Sequence, residues 1–324
     1  MSTPRRDDES AIPLDAPRPE WAQKPLPDIV PTEEEVRLPG GSAERLYIPP
    51  SPPWVRGREW FLRGIGVTYV VAFASLAVQA RGLLGPRGLA PIEAAVKSLD
   101  EQGVGQLAWP SLFRVLPTMA HSPETLAWIG AGFGLLMIVG LLPPLAALGA
   151  WLCYLSFVTL GAPFLSFQWD SLLLESGVLA LLASPWTWAL GRGRAKPVLP
   201  LLRWCLWFLI GRLMLLSGLV KLVSGSLPWR DGTALDFHWW TQPLPNPVSW
   251  WLGQMPLACD RIMTFGSLAI EFAVPLLILL GRWPRAIAAL LVLLLQGGIA
   301  LSGNYGFFNL LTAVLALSLV DNEV

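Results

Sequence analysis

Eight stretches of this sequence are apolar enough, and near enough in length, to cross a lipid bilayer as helices. A bilayer core of about 30 Å needs roughly 20 apolar residues in a helix. The runs cover residues 61–80, 125–142, 144–160, 170–190, 201–223, 261–280, 284–301 and 307–320, the last being short. Within lipid every backbone N–H and C=O must find a partner inside the protein, and a helix satisfies its own. The expected fold is therefore all-α, a polytopic transmembrane helix bundle of about eight spans.

Composition agrees with a non-aqueous solvent. Hydrophobic residues make up 53% of the chain and charged residues 14%, against about a quarter charged in soluble domains. The 23 basic and 23 acidic residues cancel, so no nucleic-acid partner is expected. Cys153, Cys205 and Cys259 lie far apart with no Cys-x-x-Cys pair. Imidazole could come only from His121 and His238, so no metal site is expected. Residues 1–55 form a separate region. They are rich in proline and carry Arg5, Arg6, Asp7, Asp8, Glu33, Glu34 and Glu35. Such a composition cannot bury a core, and a disordered cytoplasmic tail is expected. No apolar stretch follows Arg5 and Arg6 as it would in a cleavable signal peptide. Residues 56–324 then form the transmembrane domain.

Orientation follows from bases in short loops, which stay on the cytoplasmic side. Arg192, Arg194 and Lys196 follow the fourth run, and Arg282 and Arg285 follow the sixth. With eight spans both loops share a side with the two termini, which are expected in the cytoplasm. The outer loops are then 81–124, 161–169, 224–260 and 302–306. The first carries Arg81, Arg87, Lys97 and Arg114 beside Glu93, Asp100 and Glu101, and is expected to contain an interfacial helix. The third carries Trp229, Trp239, Trp240, Trp250 and Trp251, a residue type that prefers the headgroup layer.

Ionisable residues within a span are costly, and each is a functional candidate. Arg212 and Lys221 lie in the fifth run, Asp170 and Glu175 in the fourth, Glu271 in the sixth, and the polar Gln296 in the seventh. Counting depth at 1.5 Å per residue from flush helix ends pairs Arg212 with Glu271, and Lys221 with Glu175 or Asp170. The two bases are nine residues apart and face opposite sides of their helix, so one base cannot serve both acids. Ser217 lies one turn before Lys221 on the same face. A buried ion pair of this kind can simply hold helices together, whereas a desolvated Lys221 could act as a base.

Four strings go beyond composition. They are Phe164-Leu-Ser-Phe-Gln-Trp-Asp-Ser-Leu-Leu-Leu-Glu-Ser-Gly177 and Arg212-Leu-Met-Leu-Leu-Ser-Gly-Leu-Val-Lys-Leu-Val-Ser-Gly225. A third runs from Trp229-Arg-Asp-Gly-Thr-Ala-Leu-Asp-Phe-His238 into Thr241-Gln-Pro-Leu-Pro-Asn-Pro247. The last is Ser302-Gly-Asn-Tyr-Gly-Phe-Phe-Asn-Leu-Leu-Thr312. In this order and spacing they resemble the transmembrane core of the lipase maturation factor family, over about residues 61–321. The resemblance implies a membrane protein that helps secreted lipases fold, with distant kinship to the membrane bundle of vitamin K-dependent γ-carboxylases. The chain departs from the family at Trp240, where an acidic residue is usual, and at Gly253-Gln-Met-Pro256, where histidine is frequent. It also ends at Val324, where animal members continue into a luminal domain. The expectation is a short, bacterial-type form in the cytoplasmic membrane, or the endoplasmic reticulum membrane of a eukaryote.

The motif residues map to the outer side of this topology. Gln168, Trp169, Asp170, Trp229, Arg230, Asp231, Asp236, His238, Gln242, Asn304, Tyr305 and Asn309 are expected around one outward-opening, tryptophan-rimmed polar cavity, with Arg212, Ser217, Glu271 and Gln296 as its polar core. Two functions follow. One is a maturation factor, a chaperone of secretion whose partners are the bilayer and an exported lipase client. The other is a membrane enzyme acting on a lipid, quinone or peptide, with Lys221, Asp170, Glu175 and His238 as catalytic candidates. The sequence identifies no cofactor.

Overall fold

The computed structural model describes residues 54–191 and 198–320. The expected tail, and most of the basic segment at 191–196, lie outside the described residues. The elements in chain order are α1 (Val55–Leu84), α2 (Ile92–Glu101), α3 (Leu112–Val115), α4 (Thr118–His121), α5 (Pro123–Val139), α6 (Pro143–Leu160) and α7 (Gln168–Ala183). There follow α8 (Pro200–Val223), α9 (Leu227–Asp231), α10 (Ala234–Thr241), α11 (Pro247–Leu252), α12 (Leu257–Leu279), α13 (Arg282–Ser302) and α14 (Phe308–Ala316), which a 3-10 turn extends to Leu319. Among the described residues the regular elements are all helices, so the chain is a polytopic helical membrane bundle.

Each of the eight apolar runs coincides with one helix of the bundle. Five of them, α1, α6, α8, α12 and α13, are long and apolar enough to cross a membrane. The helices α5 and α14 are apolar but shorter, and α7 has 16 residues. The fourth run was expected to continue to Leu190, and it does not. Pro185 disfavours helical backbone at the residue before it, and Ser184 is extended, with ψ 125°. The chain then turns back on the α5–α6 connection. Leu142 N–H donates to Trp188 O at 2.9 Å, and Leu190 N–H donates to Gly140 O at 2.8 Å.

The tightest packing joins α1 to α5. A Cβ on Gly66 would stand 2.8 Å from Met137 Cβ and 2.9 Å from Gly134 O. A Cβ on Gly134 would stand 3.0 Å from Gly66 O. Backbones that approach this closely admit only glycine, the usual solution where lipid supplies no hydrophobic drive for helix association. Beside this seam, buried Tyr69, Phe73, Tyr154, Phe157 and Phe113 form a chain of ring contacts at 5.1–6.4 Å between centroids. Helices α2–α4 lie together at the end of the bundle where α1 finishes. There Arg114 binds Asp100 at 2.8 Å and the Val104 carbonyl at 2.6 Å.

Candidate functional site

The two intramembrane bases both take acids, but with partners exchanged from the expectation. Arg212 pairs with Glu175, and Lys221 pairs with Glu271. The expected pairing assumed that helix ends are flush. In the structure α12 is shifted along α8, so that Glu271 Cβ and the Phe272 ring pack against Gly218. That places Glu271 one turn from Lys221 rather than beside Arg212. Arg212 points the other way, onto α7, as the half-turn difference in phase requires. The Lys221–Glu271 pair is the buried one. Glu271 is 4% exposed, and its Oε2 has no hydrogen-bond partner. Lys221 Nζ also sits 4.6 Å from the centroid of the Trp229 ring, a cation–π contact. Ser217 is half-buried on α8 one turn before Lys221.

Asp170 does not meet Lys221. Its Oδ1 accepts a hydrogen bond from Tyr154 Oη at 2.6 Å, and its Oδ2 accepts from Phe167 N–H at 3.0 Å. Asp170 is the third residue of α7, where a carboxylate caps free N–H groups and meets the positive end of the helix dipole. Glu175 is five residues on, about 140° around the helix, and so faces α8 instead of α6. Gln168 is exposed at the helix start, and Trp169 stacks on Phe167 at 4.6 Å between centroids.

Helices α9–α11 lie across the end of α12 and α13. Arg230 donates to the Leu222 carbonyl at 3.1 Å. Asp231 ends α9 in a tight turn, accepting from Thr233 Oγ1 at 2.6 Å and Thr233 N–H at 3.0 Å. These bonds hold its pKa below the ordinary carboxylate value. Trp239 Nε1 donates to Asp260 at 2.8 Å, with both side chains buried, which fastens α10 to α12. Sequence reading missed this pair. Its one visible signal is an acid in the first turn of a long apolar helix.

The third string meets the fourth at the end of α13. Tyr305 Oη and His238 Nε2 are 3.0 Å apart. Burial pushes the His238 pKa down and the Tyr305 pKa up. Both shifts favour the neutral forms, and the two atoms share one hydrogen bond. Gln242 lies over Gly303, where a Cβ would come 3.0 Å from Gln242 Oε1 and 2.9 Å from the Tyr305 ring. Asn246 caps α11 by accepting from Ser249 N–H at 2.9 Å, and donates to the Leu301 carbonyl at 3.0 Å. Asn304 accepts from Gly306 N–H at 3.1 Å, which closes the 303–307 turn.

That turn, with α13 and α14, borders a groove of about 390 Å3. Gln296, Asn304, Tyr305 and Asn309 line it, among Leu293, Gly297, Ala300, Leu310 and other apolar neighbours. Lys221, Asp170, Glu175 and Trp229 are not among its lining residues, and no tryptophan is. The single tryptophan-rimmed cavity expected from the sequence is thus divided. Four polar clusters form, Arg212–Glu175, Lys221–Glu271–Trp229, Asp170–Tyr154, and the His238–Tyr305 junction with its adjoining groove. The physical reason is helix phase: each ionisable side chain meets the face that its own position on the helix turns it toward. The catalytic candidates are dispersed among all four.

The architecture can be set beside known proteins. A family described as the lipase maturation factor transmembrane domain matches residues 56–324. Human lipase maturation factor 2 is 39% identical over 285 residues, 82% of this chain and 40% of that protein. Chicken lipase maturation factor 2 is 39% identical over 290 residues, 83% of this chain and 39% of that protein. Mouse lipase maturation factor 1 is 34% identical over 296 residues, 88% of this chain and 51% of that protein. The match therefore spans between two-fifths and one-half of the length of these curated relatives. No solved structure matches the chain. A family match that runs through every helix of the bundle, and through each of the four polar clusters, makes this chain a member of the lipase maturation factor family.

Proposed function

We propose that the protein is an integral membrane maturation factor that assists the folding of exported lipases or related secreted proteins. The termini face the cytoplasm and α9–α11 face outward, in a bacterial cytoplasmic membrane or, in a eukaryote, the endoplasmic reticulum membrane. The observation that carries this reading is the aromatic surface of α10 and α11. Trp240, Trp250 and Trp251 are 64%, 56% and 66% exposed, although Trp239 beside them is buried and bonded to Asp260. Large aromatic groups held on a supported surface, at the headgroup depth that tryptophan prefers, suit transient contact with the apolar surface of an unfinished client. The names of the relatives supply the class of client.

The enzyme alternative has less behind it. A catalytic base needs an accessible lone pair near its substrate, and Lys221 Nζ is already occupied by Glu271 and the Trp229 ring.

The test is to replace Trp240, Trp250 and Trp251 together with serine, verify unchanged membrane levels, and measure secreted lipase activity. Activity should fall. Unchanged secretion of every exported lipase in a strain lacking the gene would overturn the reading.

A further inference from the structure

The Arg212–Glu175 pair lies at mid-membrane and is open to the outside of the bundle. Arg212 is the thirteenth of the 24 residues of α8, and Glu175 the eighth of the 16 residues of α7. Arg212 is thus about 16–18 Å along its helix from either end, further than its side chain can reach toward water. Yet the two side chains are 38% and 43% exposed. Around them the outer faces of α7 and α8 carry Val178, Leu182, Phe208, Leu215 and Leu219, which are 38–67% exposed.

A full charge in hydrocarbon is costly, so charged residues in spans face protein or a water-filled cavity. The pair is also only partly used. Arg212 Nη2 donates to Glu175 Oε2, and Nε, Nη1 and Oε1 make no further hydrogen bond among the described residues. Whatever covers the pair must bring an acceptor to the arginine and a donor to the glutamate, side by side and at one depth. A headgroup of one sign fits only half of it. Water is the competing occupant, since Gln168 and Ser171 are exposed on α7 between Glu175 and the helix start. The α8 residues at their depth, Leu215 and Leu219, are apolar, so one wall of that path is hydrocarbon.

A second copy of the chain meets every requirement. Two copies inserted the same way are related by a two-fold axis along the membrane normal. That axis turns α7 of each chain toward α8 of the other. Arg212 then faces the partner's Glu175, and Glu175 faces the partner's Arg212.

We infer that the protein forms a two-fold dimer in the membrane through the exposed faces of α7 and α8, with Arg212 and Glu175 of both copies in one ring of alternating charge. The inference uses none of the tryptophans of α10 and α11 and stands apart from the client-folding role.

The experiment uses the full chain, tagged at its N-terminus with a donor or an acceptor fluorophore, in dilute phosphatidylcholine vesicles. Energy transfer between unaltered chains should exceed that of random encounter. Arg212→Glu combined with Glu175→Arg keeps the pair within each chain and the alternation between copies. The exchanged chain should therefore associate with itself as the unaltered one does. Mixed with unaltered chains it sets like charge against like, and association should fall at least about tenfold. A second arm uses lipid-facing positions that leave the pair intact, with Cys205→Ala and Cys259→Ala as background. Phe208→Cys on one chain and Val178→Cys on another should form an intermolecular disulfide on mild oxidation. Phe208→Cys with Leu276→Cys, on the outer face of α12, should not. Transfer at chance level, free mixing of exchanged with unaltered chains, or no cross-link between positions 208 and 178 would each overturn the dimer. So would reaction of the Phe208→Cys thiol with a charged, water-soluble maleimide, the mark of a wet crevice at this face.

Discussion

Tyr305 and His238, 67 residues apart in sequence, meet at 3.0 Å and join the turn after α13 to the helix α10 that lies over it. Neither residue sits in a span. The contact adds to the Trp239–Asp260 bond, which holds α10 on α12, a second tie from α10 to the turn after α13.

The pair should make stability depend on pH. Burial lowers the His238 pKa below its ordinary 6.5, so the folded state resists protonation more than the unfolded state does. The contribution is complete above pH 6.5 and is lost as pH falls through that value toward the folded pKa. Thermal unfolding in detergent should show lower stability at about pH 5.5 than at about pH 7.5. In His238→Gln, which retains an acceptor but cannot titrate in this range, that difference should shrink. An unchanged difference would assign the effect to another group.

Lys221→Met should destabilise the bundle. It leaves the Glu271 carboxylate buried with no counter-ion, and removing one partner of a buried pair costs about 3–5 kcal/mol. Partial exposure of the Lys221 side chain, 25%, puts the expectation at the lower end. Adding Glu271→Gln to Lys221→Met should recover most of the loss, measured as melting temperature in the same detergent. No recovery would mean that Lys221 acts through something other than this pair.

Asp170 and Tyr154 should behave as one unit. Tyr154→Phe removes the donor at 2.6 Å from Asp170 Oδ1 and should cost about 1–3 kcal/mol. Asp170→Ala removes that bond and the cap on Phe167 N–H, and should cost more. Denaturation of the two single variants and the double variant gives the coupling energy, expected at about 1 kcal/mol or above. Strict additivity would deny the interaction.

Gly66→Ala and Gly134→Ala should each force α1 and α5 apart. An added Cβ would meet backbone oxygen at 2.9–3.0 Å, and backbone cannot swing away as a side-chain tip can. Overpacking of this kind costs roughly 1–3 kcal/mol. Gly132→Ala, on the same helix with nothing within 4 Å of its Cβ, is the control and should be near neutral.

Some of this was legible before any coordinates. The 144–160 run is α6 but for its first proline, and the 201–223 run begins one residue inside α8. Run length was readable because bilayer thickness sets it. The close seam at Gly66 was not read, although the Gly130-x-x-x-Gly134 spacing on α5 is a visible signal for close helix approach. Lys221 and Asp170 stood out because charge in an apolar run is conspicuous by composition alone. Their partners did not, since a partner depends on two helices at once. Asp260 reads from sequence as the end of the 224–260 loop, yet it is buried and bonded to Trp239.

The sequence by itself determined that this chain folds as a helical bundle in lipid, because apolar length and backbone satisfaction leave no other solution. It also determined which residues carry polar groups into that bundle. The tertiary structure alone decided who meets whom. The offset of α12 along α8 gave Glu271 to Lys221, and the turn after Ser302 brought Gln296 and Asn309 onto one groove. Helix stagger and rotation are set by packing between helices, where a shift of one turn changes every partner while leaving each helix's own pattern of apolar residues intact.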